Sequence, residues 1–84
     1  MKHDLYWFHR AVEDIAQLSA RNSKQATRIL VALREFAQTN RGDVKKLQGK
    51  ARWRLRVGDW RVGLELEGSE AWVIEVTDRQ DAYP

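Results

Sequence analysis

The sequence predicts a two-layer α+β domain in which an N-terminal strand and a two-helix hairpin pack on an antiparallel sheet, in the order β-α-α-β-β-β. Three observations carry that expectation. The first is a strict alternation from Arg52 to Val57, with Arg52, Arg54 and Arg56 in one register and Trp53, Leu55 and Val57 in the other. It resumes after Gly58-Asp59, where Trp60, Val62, Leu64 and Leu66 are the apolar members. Period two marks a half-buried strand, and glycine in a two-residue connection accepts the positive φ of a hairpin turn. The second observation is apolar spacing of i, i+3, i+4 between His9 and Ala37, the period of amphipathic helix. The third is a last alternation, Trp72, Ile74 and Val76. Helices gathered on one face of such a sheet leave the other face to solvent.

Taken in order, Met1 to Phe8 is short and aromatic and reads as the first strand, with Leu5 and Trp7, or else Tyr6 and Phe8, turned inward. From His9 to about Ser19, Val12, Ile15 and Leu18 recur at helical spacing with Ala11 and Ala16 beside them. Asn22 and Ser23 offer N-cap oxygens to a second helix, whose stripe is Ala26, Ile29, Leu30, Leu33, Phe36 and Ala37. Asn40-Arg41-Gly42 ends it, with Gly42 as the left-handed stop, and Asp43 to Ala51 reads as a basic loop. The two-residue turn sets Val57 beside Trp60, Leu55 beside Val62 and Trp53 beside Leu64 on the buried side. A three-residue connection, Gly68-Ser69-Glu70, with Glu67 paired to Ala71, lays Trp72, Ile74 and Val76 of the last strand (Ala71 to Thr77) over Leu66, Leu64 and Val62. Four tryptophans are expected to weigh heavily in so small a core.

Eighty-four residues fit one domain, 1–84, and 43% apolar with 32% charged residues describes a soluble globular chain. The absence of cysteine excludes a disulfide framework and thiolate chemistry and fits a cytoplasmic setting. No apolar run approaches membrane-spanning length, and no signal-peptide pattern opens the chain. A net charge of +3 and a pI near 9.6 favour an acidic partner, nucleic acid or acidic protein.

The polar side of the hairpin is the candidate site. The register sets Arg56 opposite Arg61, Arg54 opposite Gly63 and Arg52 opposite Glu65. Like charges directly across strands repel, whereas an anion between them reverses the sign, and guanidinium forks suit phosphate oxygens. Gly63 leaves the surface beside Arg54 bare for close approach of a ligand. Any one of these arginines is an ordinary solvated charge; the set, with Arg79 after the last strand, reads as an anion site. Lys45, Lys46 and Lys50 either meet phosphates or form a merely soluble loop. His3 and His9 read as surface or edge residues of the N-terminal segment.

Three segments together resemble the RelE/ParE toxin superfamily of bacterial toxin–antitoxin systems, and most closely its RelE-like branch. Lys46-Leu47-Gln48-Gly49 resembles its K-L-x-G, and Trp53 to Val62 its aromatic-R-x-R-x-G-[DN]-aromatic-R-[VIL]. Val76-Thr77-Asp78-Arg79 through Tyr83 resembles V-x-[HK]-R-x-x-x-Y, with Asp78 standing where histidine or lysine is common. The resemblance implies two layers of helices on an antiparallel sheet, and two activities. RelE-like members cut mRNA in the ribosomal A site, by attack of a ribose 2′-hydroxyl on the adjacent phosphate and without metal or other cofactor; ParE-like members poison DNA gyrase without a nuclease site. For this chain it implies an endoribonuclease with Arg54, Arg56, Arg61, Arg79 and Tyr83 as catalytic residues and Lys45, Lys46, Lys50 and Arg52 as RNA contacts. It also implies a toxin that is monomeric within its toxin–antitoxin complex, an acidic antitoxin, and mRNA on the ribosome (with 16S rRNA contacts) as partners. The alternative is a ParE-like gyrase inhibitor or a non-catalytic binding member, and a third reading is an inactive solitary relative. Arginine has no lone pair to accept a proton, so Tyr83, Glu75 or a ribosomal group is left to move it.

Overall fold

The computed structural model describes residues 2–47 and 52–78. Their order is β1 (Asp4–Trp7), α1 (His9–Arg21), α2 (Ser23–Thr39), β2 (Asp43–Lys46), β3 (Arg52–Val57), β4 (Trp60–Glu67) and β5 (Glu70–Asp78). The strands make one sheet in the order β1-β5-β4-β3-β2. The α+β class and the succession of strand, helices and strands are as expected, with two additions. The first half of the expected basic loop is the edge strand β2, antiparallel to β3. The sheet is also mixed, because β1 lies parallel to β5, Tyr6 opposite Trp72 and Trp7 opposite Val73.

Asn22 separates the helices by serving both. Its N–H donates to the Leu18 carbonyl at 2.7 Å, closing α1, and its Oδ1 accepts from the Gln25 N–H at 3.1 Å, opening α2. The left-handed stop of α2 is Asn40 (φ 62), not Gly42; the Asn40 N–H reaches back to the Phe36 carbonyl at 2.8 Å. Gly42 (φ 147) lies beyond that stop. A side chain is strained at that φ, and a Cβ there would also press on Leu55 Cδ1 at 3.0 Å where the chain enters β2.

The core is aliphatic. Ala11 and Leu18 of α1 and Ala26, Ile29, Leu33 and Phe36 of α2 meet Leu55, Val62, Leu64, Val73 and Val76 of the sheet. Of the two expected stripes, Val12 (47% exposed) and Leu30 (45% exposed) fall outside it. The tryptophans are not its centre either: Trp7, Trp53 and Trp60 are partly buried at its margin. The inward pair of β1 is Leu5 and Trp7, while Tyr6 and Phe8 face outward.

The β3–β4 hairpin has the expected register throughout, including Arg56 opposite Arg61 and Arg54 opposite Gly63. The β4–β5 register is as expected only from Trp60 to Gly63, with Thr77 beside Arg61 and Glu75 beside Gly63. Beyond Gly63 it shifts by one, to Leu64 opposite Val73, Leu66 opposite Ala71 and Glu67 opposite Glu70. Ile74 is the extra residue of a β-bulge, and the turn is therefore the two-residue Gly68-Ser69, with Gly68 at φ 58. The consequence for side chains is a change of parity. Ala71 and Val73 take the core positions expected of Trp72 and Ile74, and both are fully buried. Trp72 goes to the outer face, stacked on Tyr6 at 4.8 Å and edge-on to Phe8 at 5.5 Å, with its indole N–H donated to Glu70 Oε1 at 3.0 Å.

β1 stops at Trp7, so among the described residues the outer edge of β5 beyond Val73 has no strand to pair with. Helix α1 closes it: Asp14 Oδ2 accepts the Val76 N–H at 3.0 Å. Arg10, one turn earlier, contacts the same carboxylate at 3.5 Å. Among the described residues no helix is long and apolar enough to cross a membrane.

Because Asp14 satisfies a half-buried edge amide, Asp14→Ala is expected to lower unfolding free energy by about 1–3 kcal/mol. Asp14→Asn, which keeps an acceptor oxygen, should recover most of it; urea denaturation of the two variants measures the difference.

Candidate functional site

The face of the sheet turned away from the helices is ordered by two rows of register partners. One runs Asp43, Arg56, Arg61, Thr77, and the other Lys45, Arg54, Gly63, Glu75. Neighbouring strands lie about 4.8 Å apart, so each row places its charges within reach of a single phosphate group or its neighbour. Where the rows meet at Gly63 the missing side chain leaves a hollow of about 190 Å³, lined by Arg54, Arg61, Glu75, Thr77, Trp53 and Leu47. Arg54 and Arg61, diagonal neighbours across β3 and β4, thus share one concavity.

Glu75 lies over Gly63. A Cβ at position 63 would stand 3.3 Å from Glu75 Cγ and 3.8 Å from Ile74 Cβ, so glycine leaves the Glu75 side chain room over β4. Arg10 reaches from the first turn of α1 round the edge of β5 and holds Glu75 Oε1 at 3.2 Å. The glycine and the helix together hold a carboxylate among the residues that line the hollow with Arg54 and Arg61.

Arg56 is placed differently. It stands beside the hollow, and its Nε is 3.1 Å from Asp43 Oδ2 on β2. The expected repulsion between Arg56 and Arg61 is therefore relieved by a carboxylate in a segment that reads as loop. Both partners are more than half exposed, so the pair contributes about 0.2–1 kcal/mol.

Of the expected RNA contacts, Lys45 shares the row of Arg54, and Arg52, exposed, pairs in register with Glu65. Lys46 belongs to the other register and stands over the Trp53 ring, 5.8 Å from its centroid. Lys50, Arg79 and Tyr83 lie outside the described residues. His9 is a surface residue bound to Glu13 at 2.8 Å, and His3 stacks on Phe36 at 5.5 Å, both away from the hollow. Among the described residues no His, Asp and Glu side chains cluster in a way that could hold a metal ion. Sequence reasoning missed Asp43 and Arg10. The signal for the first was the alternation of Val44 with Asp43 and Lys45; for the second, the i, i+4 pair Arg10 and Asp14, a spacing that helices use for ion pairs.

Chemically, the hollow offers two guanidinium groups to hold phosphate oxygens, a carboxylate beside them, and no side chain at its floor. That combination can bind a phosphodiester and stabilise charge that builds on it.

No family model and no curated protein matches the chain. Solved structures do. A chain of the RelB–RelE antitoxin–toxin complex from Methanococcus jannaschii superimposes with a TM-score of 0.74 at 23% identity, over 92% of this chain and 93% of that one. The YoeB/ParE toxin from Agrobacterium tumefaciens gives 0.77 at 21% identity, over 93% and 98%. A chain of the archaeal RelE–RelB complex from Pyrococcus horikoshii gives 0.76 at 19%, over 94% and 97%. At these identities the likeness establishes the fold, which this chain shares with all three structures. It does not single out the RelE-like branch, because chains named YoeB, YafQ and ParDE superimpose comparably, with TM-scores of 0.75, 0.70 and 0.72.

If Asp43 is the counter-charge that lets Arg56 face Arg61, Asp43→Ala should destabilise the fold by roughly 0.2–1 kcal/mol at low salt. The loss should shrink in 0.5 M salt, about where the Debye length falls towards 4 Å. Urea titrations at two ionic strengths test this, and a salt-independent loss would assign Asp43 a packing role instead.

Proposed function

We propose that the chain is the toxin of a type II toxin–antitoxin pair and acts as an endoribonuclease on mRNA held by the ribosome. The observation that carries this reading is the hollow around Gly63, where Arg54 and Arg61 converge with a carboxylate on the open sheet face of a RelE/ParE fold. A fold needs no such convergence; a phosphodiester in an attack geometry does. The 2′-hydroxyl of one nucleotide attacks the adjacent phosphorus, and Arg54 and Arg61 stabilise the added negative charge in the transition state. Removing one such donor costs ~10²–10³ in rate. Arg56, held by Asp43 at the rim, together with Lys45 and Arg52, guides the flanking phosphates. Arg79 and Tyr83 complete the site in this reading. Lys46 and Lys50 add to the electrostatic attraction in this reading.

The partner is an acidic antitoxin covering the basic face, by charge complementarity with a chain of net charge +3. Superimposable chains that come from antitoxin–toxin complexes support that pairing. The second reading, a ParE-like gyrase inhibitor, is favoured by the comparable superposition of the ParDE chain.

Primer extension on a reporter mRNA after induction in cells separates the two. Cuts within translated codons are expected, whereas gyrase-linked DNA breaks with intact mRNA would overturn the nuclease reading. Arg61→Ala should abolish both the cuts and the growth arrest while leaving the melting temperature close to that of the unmodified chain. A large fall in melting temperature with toxicity retained would make Arg61 structural.

A further inference from the structure

We infer that Glu75 accepts the proton of the attacking 2′-hydroxyl, an inference that rests on the nuclease reading above. Guanidinium groups carry no acceptor, so Arg54 and Arg61 can hold the phosphate but cannot take a proton. Of the described residues lining the hollow, Glu75 is the one carboxylate.

Three independent features hold it there. The bulge at Ile74 breaks the alternation, so that Glu75 keeps the outer face while Val73 and Val76 are both buried. Gly63 leaves its side chain room over β4. Arg10 engages Oε1 at 3.2 Å and is itself held by Asp14, whose carboxylate is tied to the Val76 N–H at 3.0 Å. The chain of contacts from β5 through α1 back to β5 holds Oε1, on a residue that lines the hollow beside Arg54 and Arg61. Glu75 is 35% exposed, so water reaches it and can carry the proton away. The charged groups facing it are Arg10 and Asp14 from α1, Arg54 from β3 and Arg61 from β4, with Lys45 beyond on β2 and Asp78 further along β5. Their balance is cationic: it favours a bound phosphate directly beside the carboxylate, and so delivers the neighbouring 2′-hydroxyl to it. Arg10 is a positioning residue in this scheme.

The step balances without a co-reactant other than water. The 2′-hydroxyl proton passes to the Glu75 carboxylate as the 2′-oxygen bonds to phosphorus, and the bond from phosphorus to the 5′-oxygen breaks. The products are a 2′,3′-cyclic phosphate and a 5′-hydroxyl; the leaving oxygen takes its proton from water, and Glu75 returns its own to solvent.

The experiment is single-turnover cleavage of ribosome-bound mRNA by the unmodified chain, Glu75→Gln, Glu75→Ala and Arg61→Ala, with melting temperatures measured alongside. Glu75→Gln is expected to lower the cleavage rate by about 10²–10⁴, the usual worth of general acid–base catalysis, with ribosome affinity and melting temperature unchanged. Glu75→Ala should be as slow, and sodium formate, but not sodium chloride of equal strength, should restore part of its rate by supplying a carboxylate to the vacated space. Near-normal cleavage by Glu75→Gln while Arg61→Ala is inactive overturns this inference alone. Loss of rate in Glu75→Ala without formate rescue, in a variant that melts normally, also overturns it, because the carboxylate would then only position the arginines. Failure of the unmodified chain to cut translated mRNA overturns the nuclease reading and this inference with it.

Discussion

The bulge at Ile74 is the constraint on which the rest depends. β5 runs nearly the length of the sheet and has to present apolar side chains to the helices at both ends. Ala71 and Val73 are buried near the turn and Val76 towards the far end, with Ile74 buried between them at the bulge, and the first two have the opposite parity to Val76. A regular strand shows side chains to alternate faces, so no unbroken β5 of this sequence can bury Ala71, Val73 and Val76 alike. One extra residue resolves the conflict, and its position decides which charged side chain reaches the outer face beside Gly63. The far half of β5 thereby keeps Glu75 beside Gly63 while the near half buries Ala71 and Val73.

A sheet face carrying several arginines is compatible with folding because its counter-charges arrive from the sides. Asp43 comes from the edge strand β2 and pairs with Arg56, and Glu75 of β5 lines the hollow with Arg54 and Arg61 while Arg10 of α1 holds its Oε1. Both pairs stay partly in water, where neither desolvation nor attraction is large. Little stability is then at stake in the cationic surface, and a polyanion can engage the arginines without unfolding anything. Their value lies in differential binding: a group that develops charge in the transition state gains more from the same guanidiniums than the ground-state diester does.

The helices serve the site indirectly. Ala26, Ile29, Leu33 and Phe36 of α2 and Ala11 and Leu18 of α1 back the sheet with an aliphatic layer. α1 adds a second function, because β1 is too short to cover β5 beyond Val73. Asp14 and Arg10 lie on the turn of α1 that passes this gap, so closing the sheet edge and orienting Glu75 are one arrangement. The outer aromatic group of Tyr6, Phe8 and Trp72 shields the other end of the same strand.

What the chain determined by itself was local. Alternation from Arg52 to Leu66 and the two-residue turn at Gly58-Asp59 dictated the register of the β3–β4 hairpin, and with it the meeting of Arg54, Arg61 and Gly63. The helical stripes and the cap at Asn22 were equally legible, since each depends on residues only a few positions apart. What only the tertiary structure decided was long-range. The parallel pairing of β1 with β5, at the far end of the chain, has no turn to announce it. Which member of an apolar run, Trp72 or Val73, enters the core was decided by packing beneath the helices, where Ala71 and Val73 are fully buried. Asp43 and Arg10 entered the site because β2 and α1 lie beside it in space. Register propagates along the chain through bonded geometry, whereas packing selects among residues that the chain itself leaves far apart.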